Sequence, residues 1–209
     1  MALTSLAQTY LSQIGISSLR PAQSKAVAAG LLTGKNVLVC TPTASGKTLI
    51  AELAMNEVVS QGKKAVYVVP LRALGSEKFR SFKKRFSRVA LSISDVDTVE
   101  TGLAEADVIV VTAEKLDSLL RHRVSWVSRI GLLVVDEVHL LNDVSRGPTL
   151  EILITMLRML CNPQILALSA TIGNPEELAG WLQAELVIDN WRPVRLDKGV
   201  LVHDTVRFP

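Results

Sequence analysis

The tripeptide glycine-lysine-threonine at positions 46–48 is the first group of residues whose types suggest chemistry. It completes the phosphate-loop pattern GxxxxGK(S/T), although the opening position of that pattern holds Thr41 instead of glycine. Backbone N–H groups of such a loop, together with those at the start of the following helix, can bind phosphate oxygens. An aliphatic run before the loop and an apolar, helix-like segment after it make a chance occurrence the weaker interpretation.

The last three residues of the loop each have a chemical role in this interpretation. Gly46 lets the main chain approach the phosphates, Lys47 neutralises the β- and γ-phosphates, and Thr48 offers its hydroxyl to Mg²⁺. The residues predicted to surround the phosphates of a nucleotide are Thr43, Ala44, Ser45, Gly46, Lys47 and Thr48.

A second group follows the aliphatic run at 131–136, where the carboxylates Asp136 and Glu137 are adjacent. A strand that ends in an acidic residue is what a Walker B site requires, with Asp136 in the Mg²⁺ shell and Glu137 polarising the attacking water. Two carboxylates at the end of a strand could equally cap the next helix. The phosphate loop about 88 residues earlier favours the first alternative, because a metal-bound triphosphate needs both groups. We therefore predict an ATPase-type site with ATP and Mg²⁺ as cofactors.

Both groups must be held at the ends of strands, and the sequence predicts a sheet that could hold them. Runs rich in Val, Ile and Leu are typical of strands buried on both faces, and they lie at 36–40, 65–69, 89–93, 107–112, 131–136, 164–169 and, more weakly, 185–188. Segments with helical spacing alternate with them, at 3–14, 21–32, 46–60, 72–86, 113–121, 148–160 and 175–182. This alternation predicts an α/β fold with a mostly parallel sheet and helices on both faces.

The composition excludes several classes of protein. Hydrophobic residues make up 48% and aromatic residues 4% of the 209 residues, which is typical of a folded domain with an aliphatic core rather than a disordered chain. No apolar run reaches about 18 residues, so we expect no membrane span. The chain start lacks the pattern of a secretory signal, and two cysteines, Cys40 and Cys161, are too few for a disulfide framework. We expect a cytoplasmic protein whose two thiols are reduced and buried.

One domain fits the chain better than two, because no repeat, linker or low-complexity tract interrupts the first 185 residues. We predict that residues 1–189 form this domain. Residues 190–209 differ in pattern and are predicted to be an extended segment or a linker.

Residues 136–139 read Asp-Glu-Val-His, which is the DExH form. Together with the phosphate loop, they make the chain resemble the first RecA-like motor domain of superfamily 2 helicases, in the Ski-like branch and closest to the archaeal Hjm-type DNA helicases. The resemblance spans about residues 19–202, and in this branch the loop commonly opens without glycine, as at Thr41. It implies a RecA-like P-loop NTPase domain, with residues 190–209 leading toward a second RecA-like domain and further domains of the same chain.

The resemblance also implies roles that the residues alone leave ambiguous. It makes Gln23 the glutamine that reads adenine, and His139 a bridge between the metal site and the segment that couples ATP to strand separation. That segment is Ser-Ala-Thr, with Ser169 and Thr171 as its polar members. The segment Pro-Leu-Arg-Ala-Leu at 70–74 resembles motif Ia and Thr-Ala-Glu-Lys at 112–115 resembles motif Ib. The residues implied to contact nucleic acid are Arg72, Thr112 and Lys115. Without the family, Gln23 would be an ordinary surface glutamine and His139 a structural residue.

Positive charge is concentrated in the first half of the chain. The net charge is +7 over residues 1–100 and −4 over residues 101–209. Basic residues recur over 78–88, and the phenylalanines among them are spaced by three and four, which predicts that the rings face the core. The basic face is either simply solvated or attracts the DNA backbone beside the motif Ia strand end. Backbone contacts carry little sequence information, so we expect sequence-nonspecific binding.

The leading interpretation is the N-terminal motor lobe of an ATP-dependent DNA helicase. As the resemblance implies, the parent enzyme would move 3′ to 5′ on single-stranded DNA and unwind forked DNA in replication-fork repair. Two alternatives stay open: a lobe of a Ski-like RNA helicase, and a stand-alone module that binds nucleotide or nucleic acid. The transition state of such ATPases needs an arginine finger from the second domain. We therefore expect the 209-residue chain alone to be catalytically deficient.

Overall fold

A seven-stranded parallel sheet forms the centre of the part of the chain that the structure, a computed structural model, describes: residues 3–93, 100–194, 200–203 and 205–207. Its strands are β1 (Val37–Cys40), β2 (Lys64–Val69), β3 (Val89–Ser92), β4 (Val108–Thr112), β5 (Ile130–Val135), β6 (Gln164–Ser169) and β7 (Glu185–Ile188). Their spatial order is β3-β4-β2-β5-β6-β1-β7, and every neighbouring pair is parallel. The predicted α/β fold with a largely parallel sheet is confirmed.

Eight α-helices surround this sheet in the described residues. They are α1 (Ser5–Gln13), α2 (Pro21–Ala28), α3 (Lys47–Ser60), α4 (Arg72–Phe82), α5 (Glu100–Glu105), α6 (Ala113–Arg121), α7 (Gly147–Leu160) and α8 (Pro175–Leu182). Short 3-10 turns occur at Leu31–Thr33, Ser125–Arg129 and Val138–Asn142. Strands β8 (Val200–Val202) and β9 (Thr205–Arg207) pair with each other in a separate antiparallel hairpin.

Alternate residues of each strand pack against helices on opposite faces of the sheet, as the period of two requires. On one face, strand residues such as Leu38 and Leu133 pack with apolar side chains of α6, α7 and α8. On the other face, strand residues such as Val39 and Val134 pack with apolar side chains of α2, α3 and α4. Helix α1 covers α3 from outside, with Tyr10 in their contact. Because both faces are covered, the aliphatic strands need no polar side, which explains their continuous apolar sequence.

The helix predicted over 21–32 ends early, and the reason is backbone geometry. The α-helix stops at Ala28, and Gly30 adopts a φ of 97°, in the left-handed region where glycine avoids a Cβ clash. Helix α4 likewise ends at Phe82 rather than at residue 86. Phe82 and Phe86 are buried as predicted.

Helix α5 was missed by sequence reasoning because its stretch is short and lacks a full apolar period. Its end is held by Lys64 of β2, which is 2% exposed. The Lys64 ammonium donates hydrogen bonds to the carbonyls of Leu103 (3.3 Å), Ala104 (2.7 Å) and Ala106. A partner that is distant in sequence thus supplies what the local pattern lacks.

The end of β7 is tied back to α2. Asp189, buried just after the strand, pairs with Lys25 at 2.8 Å and accepts a hydrogen bond from the backbone N–H of Trp191 at 2.8 Å. Burial opposes ionisation of Asp189, but these hydrogen bonds outweigh it, so the pKa of Asp189 lies below its ordinary value. The extended segment or linker predicted over 190–209 falls partly on 195–199, 204 and 208–209, which lie outside the described residues.

Both cysteines are free thiols, of which Cys40 is buried and Cys161 only half-buried, so the expectation of two buried thiols is wrong for Cys161. None of the described helices combines the length and the apolar character that a membrane crossing requires.

Candidate functional site

The phosphate loop lies between the end of β1 and the start of α3, at the carboxyl edge of the sheet. Two of its residues adopt left-handed backbone conformations, Ala44 with φ of 65° and Gly46 with φ of 95°. A Cβ at Gly46 would lie 2.4 Å from Nε2 of Gln23, and a φ of 95° is strained for a residue with a Cβ, so the position favours glycine. The hydroxyls of Thr41 and Ser45 are buried and hydrogen-bonded to each other. Thr41 therefore stabilises the loop internally from the position where the pattern has glycine.

The ammonium of Lys47 joins the phosphate loop to the end of β6. It donates hydrogen bonds to the carbonyl of Thr41 at 3.2 Å and to the carbonyl of Ser169 at 3.1 Å. The contact depends on β1 and β6 being neighbours in the sheet. Both acceptors are neutral carbonyls, so the charge of Lys47 can still attract a phosphate oxygen.

Gln23 braces the loop from α2. Its side chain is 3% exposed; Nε2 donates to the carbonyl of Gly46 at 3.1 Å, and Oε1 accepts from the N–H of Arg20 at 2.8 Å. The guanidinium of Arg20 donates to the carbonyl of Ala44 at 2.9 Å and lies 5.4 Å from the ring centre of Trp191. Sequence reasoning missed Arg20, although its position three residues before Gln23 at a helix start was a usable signal.

Tyr67, which is buried, and Asp136, which is half-buried, form a hydrogen-bonded pair. The carboxylate of Asp136, just after β5, accepts a hydrogen bond from the hydroxyl of Tyr67 at 2.7 Å and one from the N–H of Glu137 at 3.1 Å. Burial raises the pKa of Tyr67 well above its ordinary value, and the charge of Asp136 raises it further, so the phenol stays protonated and donates. Sequence reasoning missed Tyr67, whose only signal is that it is the one polar aromatic in an aliphatic strand.

A chain of contacts joins Glu137, His139 and Ser169, with His139 in the middle. Glu137 has a φ of 51°, a strained conformation for a non-glycine residue, and it precedes the turn Val138–Asn142. This turn brings Nδ1 of His139 to 3.4 Å from Oε2 of Glu137 and to 3.5 Å from Oγ of Ser169. His139 thus stands between the acid pair and the end of β6, whereas Thr171 is exposed two residues further on.

Thr48 receives a hydrogen bond that sequence reasoning did not anticipate. The ammonium of Lys78, on α4, donates to Oγ1 of Thr48 at 2.7 Å. The same ammonium lies 5.9 Å from the ring centre of Tyr67. Lys78 therefore connects the predicted metal ligand on α3 with the pair formed by Tyr67 and Asp136.

The residues implied to contact nucleic acid lie at the same edge of the sheet, in different environments. Arg72 is exposed at the first residue of α4, after β2. Thr112 is 6% exposed and its hydroxyl caps α6 by accepting from the N–H of Lys115 at 3.4 Å. Because β2 and β4 are neighbours, their carboxyl ends bring Arg72 and Thr112 to one edge.

The expectation that the basic excess lies beside the motif Ia strand end is wrong for the exposed residues Lys83, Lys84 and Arg85. Helix α4 has 11 residues, which corresponds to a length of about 16 Å. It leads from the carboxyl end of β2 to the amino end of the parallel strand β3, so its last turn lies far from Arg72. Spacing along the chain did not reveal this separation, because a helix that connects two parallel strands runs antiparallel to them and returns the chain to their amino ends.

Residues 20–178 match the sequence model of the family described as DEAD/DEAH box helicase. The chain belongs to this helicase family. It is 49% identical over 95% of its length to a protein of Methanococcus vannielii named ATP-dependent DNA helicase Hel308, and 53% identical over 91% of its length to one of the same name from Pyrococcus abyssi. The chain spans 28% of the first of these relatives and 27% of the second.

The fold of this helicase-family chain also resembles solved helicase structures. The DUF1998 helicase MrfA bound to DNA superposes with a TM-score of 0.78 over 90% of the chain and 30% of that protein, at 26% sequence identity. A structure of MrfA bound to DNA and AMPPNP gives a TM-score of 0.77 over 98% of the chain and 32% of that protein, also at 26% identity. The expectation of a RecA-like helicase fold is confirmed.

The structure of the helicase-family chain brings most of the predicted nucleotide-site residues together. In the first set, Gln23 is linked to the loop residues 43–48 by the hydrogen bond from its Nε2 to the carbonyl of Gly46. A second set, Glu137, His139 and Ser169, is linked to the first through the contact of Lys47 with Ser169. Arg72, Thr112 and Lys115 lie outside both sets.

Proposed function

We propose that this chain is the nucleotide-binding motor domain of an ATP-dependent DNA helicase. Two sets of contacts support the proposal most. Lys47 donates a hydrogen bond to Ser169 at the end of β6, and His139 contacts both Glu137 and Ser169. A phosphate-binding lysine, an acid and a coupling segment are thereby joined at the carboxyl edge of a parallel sheet. Ligands of open α/β sheets bind at this edge.

ATP would be held chiefly by the phosphate loop. The backbone N–H groups of residues 43–48 and the ammonium of Lys47 would bind the phosphates, and the left-handed conformations at Ala44 and Gly46 shape the loop for that purpose. Gln23 lies against the same loop, and its amide is the side chain that we propose for recognition of adenine.

Mg²⁺ fits the donor set formed by the hydroxyl of Thr48 and the carboxylate of Asp136, because it prefers oxygen ligands and commonly takes only one or two from protein. When bound, the ion would neutralise charge on the β- and γ-phosphates. Glu137 is the proposed base that orients and deprotonates the attacking water. His139 would hold Glu137 and transmit its state to Ser169 and Thr171.

Nucleic acid would cross the carboxyl edge near Arg72 and the start of α6, where we propose contacts from Arg72, Thr112 and Lys115. The relatives named Hel308 are described as DNA helicases, and MrfA has been solved with DNA. We infer that the parent protein unwinds DNA, that it acts on single-stranded or forked DNA without sequence preference, and that it does so inside the cell in fork repair. A second RecA-like domain would supply the arginine finger that the transition state needs.

The proposal predicts nucleotide binding that depends on Lys47. The wild-type chain should bind a fluorescent ATP analogue in Mg²⁺, and Lys47→Ala should weaken the affinity at least about tenfold, since it removes a charge-assisted contact worth roughly 1.5–3 kcal/mol. The exposed Lys63→Ala is the matched control and should bind like wild type. Equal affinities for Lys47→Ala and wild type would refute the nucleotide site.

The choice of DNA over RNA is tested by competition. Single-stranded DNA and RNA of one sequence are titrated against a labelled DNA strand held by the protein. We expect DNA to compete better. Equal or better competition by RNA, whose 2′-hydroxyl is the group that distinguishes the two, would favour a Ski-like RNA helicase. Binding of neither would leave a nucleotide-binding module.

A further inference from the structure

Lys78 is a half-buried lysine whose ammonium is hydrogen-bonded to the hydroxyl oxygen of Thr48, which is a proposed ligand of Mg²⁺. It donates to Oγ1 of Thr48 at 2.7 Å. It lies 5.9 Å from the ring centre of Tyr67, whose hydroxyl donates to Oδ2 of Asp136 at 2.7 Å. The ammonium therefore sits within the chain of contacts that runs from Thr48 to Asp136, the two residues with the oxygens proposed for Mg²⁺.

We propose that Lys78 is a positioning residue that competes with the metal ion for Thr48 and supplies a positive charge to the nucleotide phosphates when no metal accompanies them. The inference rests on the proposed nucleotide site and deepens it, because it names the residue that sets how strongly nucleotide binding depends on Mg²⁺.

Competition follows from the charges of the two cations. An ammonium and a divalent ion repel each other strongly at hydrogen-bond separations in a partly buried site. Lysine is suited to such an exchange, because its charge is a compact group on a flexible four-carbon stem. Its position over the face of Tyr67 at 5.9 Å adds only a weak cation–π attraction, so the stem can move without losing a strong contact there.

Glu52 offers the displaced ammonium a second oxygen. It follows Thr48 by one turn of α3, is 7% exposed, and accepts a hydrogen bond from the hydroxyl of Tyr10 at 3.0 Å. Burial raises the pKa of Glu52, while the hydrogen bond from Tyr10 and the positive charges of Arg85 and Lys78 oppose that rise. Lys78 is thus already within electrostatic range of this carboxylate, and a shift from Thr48 toward Glu52 would bring two opposite charges together.

The inference makes a directional prediction about metal linkage. Without metal, the charge of Lys78 should help to hold the phosphates, so Lys78→Met should weaken nucleotide binding. With Mg²⁺, the same substitution frees the hydroxyl of Thr48, so affinity should stay equal or increase. The ratio of the dissociation constant in chelator to that in Mg²⁺ should therefore rise at least about tenfold in Lys78→Met, which corresponds to roughly 1.4 kcal/mol.

The experiment is calorimetric titration of ADP into the 209-residue chain, once with Mg²⁺ and once with EDTA. ADP avoids any contribution from turnover. Lys78→Arg keeps the charge, so its ratio should lie closer to that of wild type than the ratio of Lys78→Met. Lys84→Met removes an exposed charge from the turn just after the same helix and should leave the ratio unchanged. Lys78→Gln is a second neutral variant and replaces Lys78→Met if thermal unfolding shows that the latter does not fold.

The outcomes separate the two proposals. If wild type binds ADP and both neutral variants keep its ratio within about twofold, the role of Lys78 is refuted and the nucleotide site stands. If wild type binds no ADP under either condition, the nucleotide site fails and the role of Lys78 fails with it. A rise of the ratio in Lys84→Met as large as that in Lys78→Met would also refute the inference, because a positive charge outside the site would then have the same effect.

Discussion

Glu137 combines an unusual backbone conformation with contacts to Asp136 and His139. Its φ of 51° turns the chain sharply after β5, and its carboxylate lies 3.4 Å from Nδ1 of His139. Strain of this kind costs on the order of 1–3 kcal/mol and persists where the surrounding structure holds it. The turn that requires it is the one that places His139 beside Ser169.

We predict the effect of Glu137→Gln in a protein that joins this domain to a second RecA-like domain. Gln is close in size, so ATP binding should be retained, but it cannot accept the proton of the attacking water. ATP hydrolysis should fall by about 100-fold or more, measured as steady-state phosphate release in the presence of DNA. The exposed Glu151→Gln on α7 is the control and should hydrolyse ATP like wild type. Hydrolysis retained in Glu137→Gln would remove Glu137 from the role of base.

Helix α5 shows how a weak element is stabilised by one distant side chain. Its six residues are too few for a stable helix in isolation. The ammonium of Lys64 donates to the carbonyls of Leu103, Ala104 and Ala106, around the end of the helix. These contacts satisfy carbonyls that a helix end leaves without partners.

We predict that Lys64→Met lowers the free energy of unfolding by about 2 kcal/mol, because buried carbonyls lose their donor. The measurement is urea denaturation of both proteins. Lys63→Met, at the exposed neighbouring position, changes the same residue type and should have an effect within about 0.5 kcal/mol. Equal stability of the Lys64 and Lys63 variants would show that the carbonyls find other donors.

The predicted functional residues and the basic turn after α4 lie at opposite ends of the sheet strands. The phosphate loop, the acid pair and Arg72 all follow carboxyl ends of parallel strands. The basic turn with Lys84 lies at the far end of α4, about 16 Å away along an 11-residue helix. Net charge alone therefore does not identify the surface that we propose for DNA binding.

We predict that Arg72→Ala weakens binding of single-stranded DNA more than Lys84→Ala does. Loss of one phosphate contact should also lower the slope of log affinity against log salt by about one. Fluorescence anisotropy with a labelled strand at several salt concentrations measures both quantities. If Lys84→Ala has the larger effect on affinity and slope, DNA binds along α4 and not at the carboxyl edge.

Local sequence was sufficient for most of the elements. All seven strands of the main sheet were predicted within a residue or two of their bounds, because a nearly continuous aliphatic run is stable only in a strand covered on both faces. Helix α5 was missed and α2 was drawn too long, since their ends depend on Lys64 and on the backbone of Gly30. Patterns of hydrophobicity do not report either interaction.

The phosphate loop, the acid pair and the alternation of strands and helices could be predicted from the sequence, because each depends on neighbouring residues. The partners of these residues depend on long-range packing: the order that sets β1 beside β6 brings Lys47 to Ser169, and the packing of α3 and α4 against β2 brings Lys78 to Thr48 and Tyr67. These contacts join residues that are far apart in the chain. Strand order and helix rotation arise from packing over the whole sheet, and no local spacing encodes them.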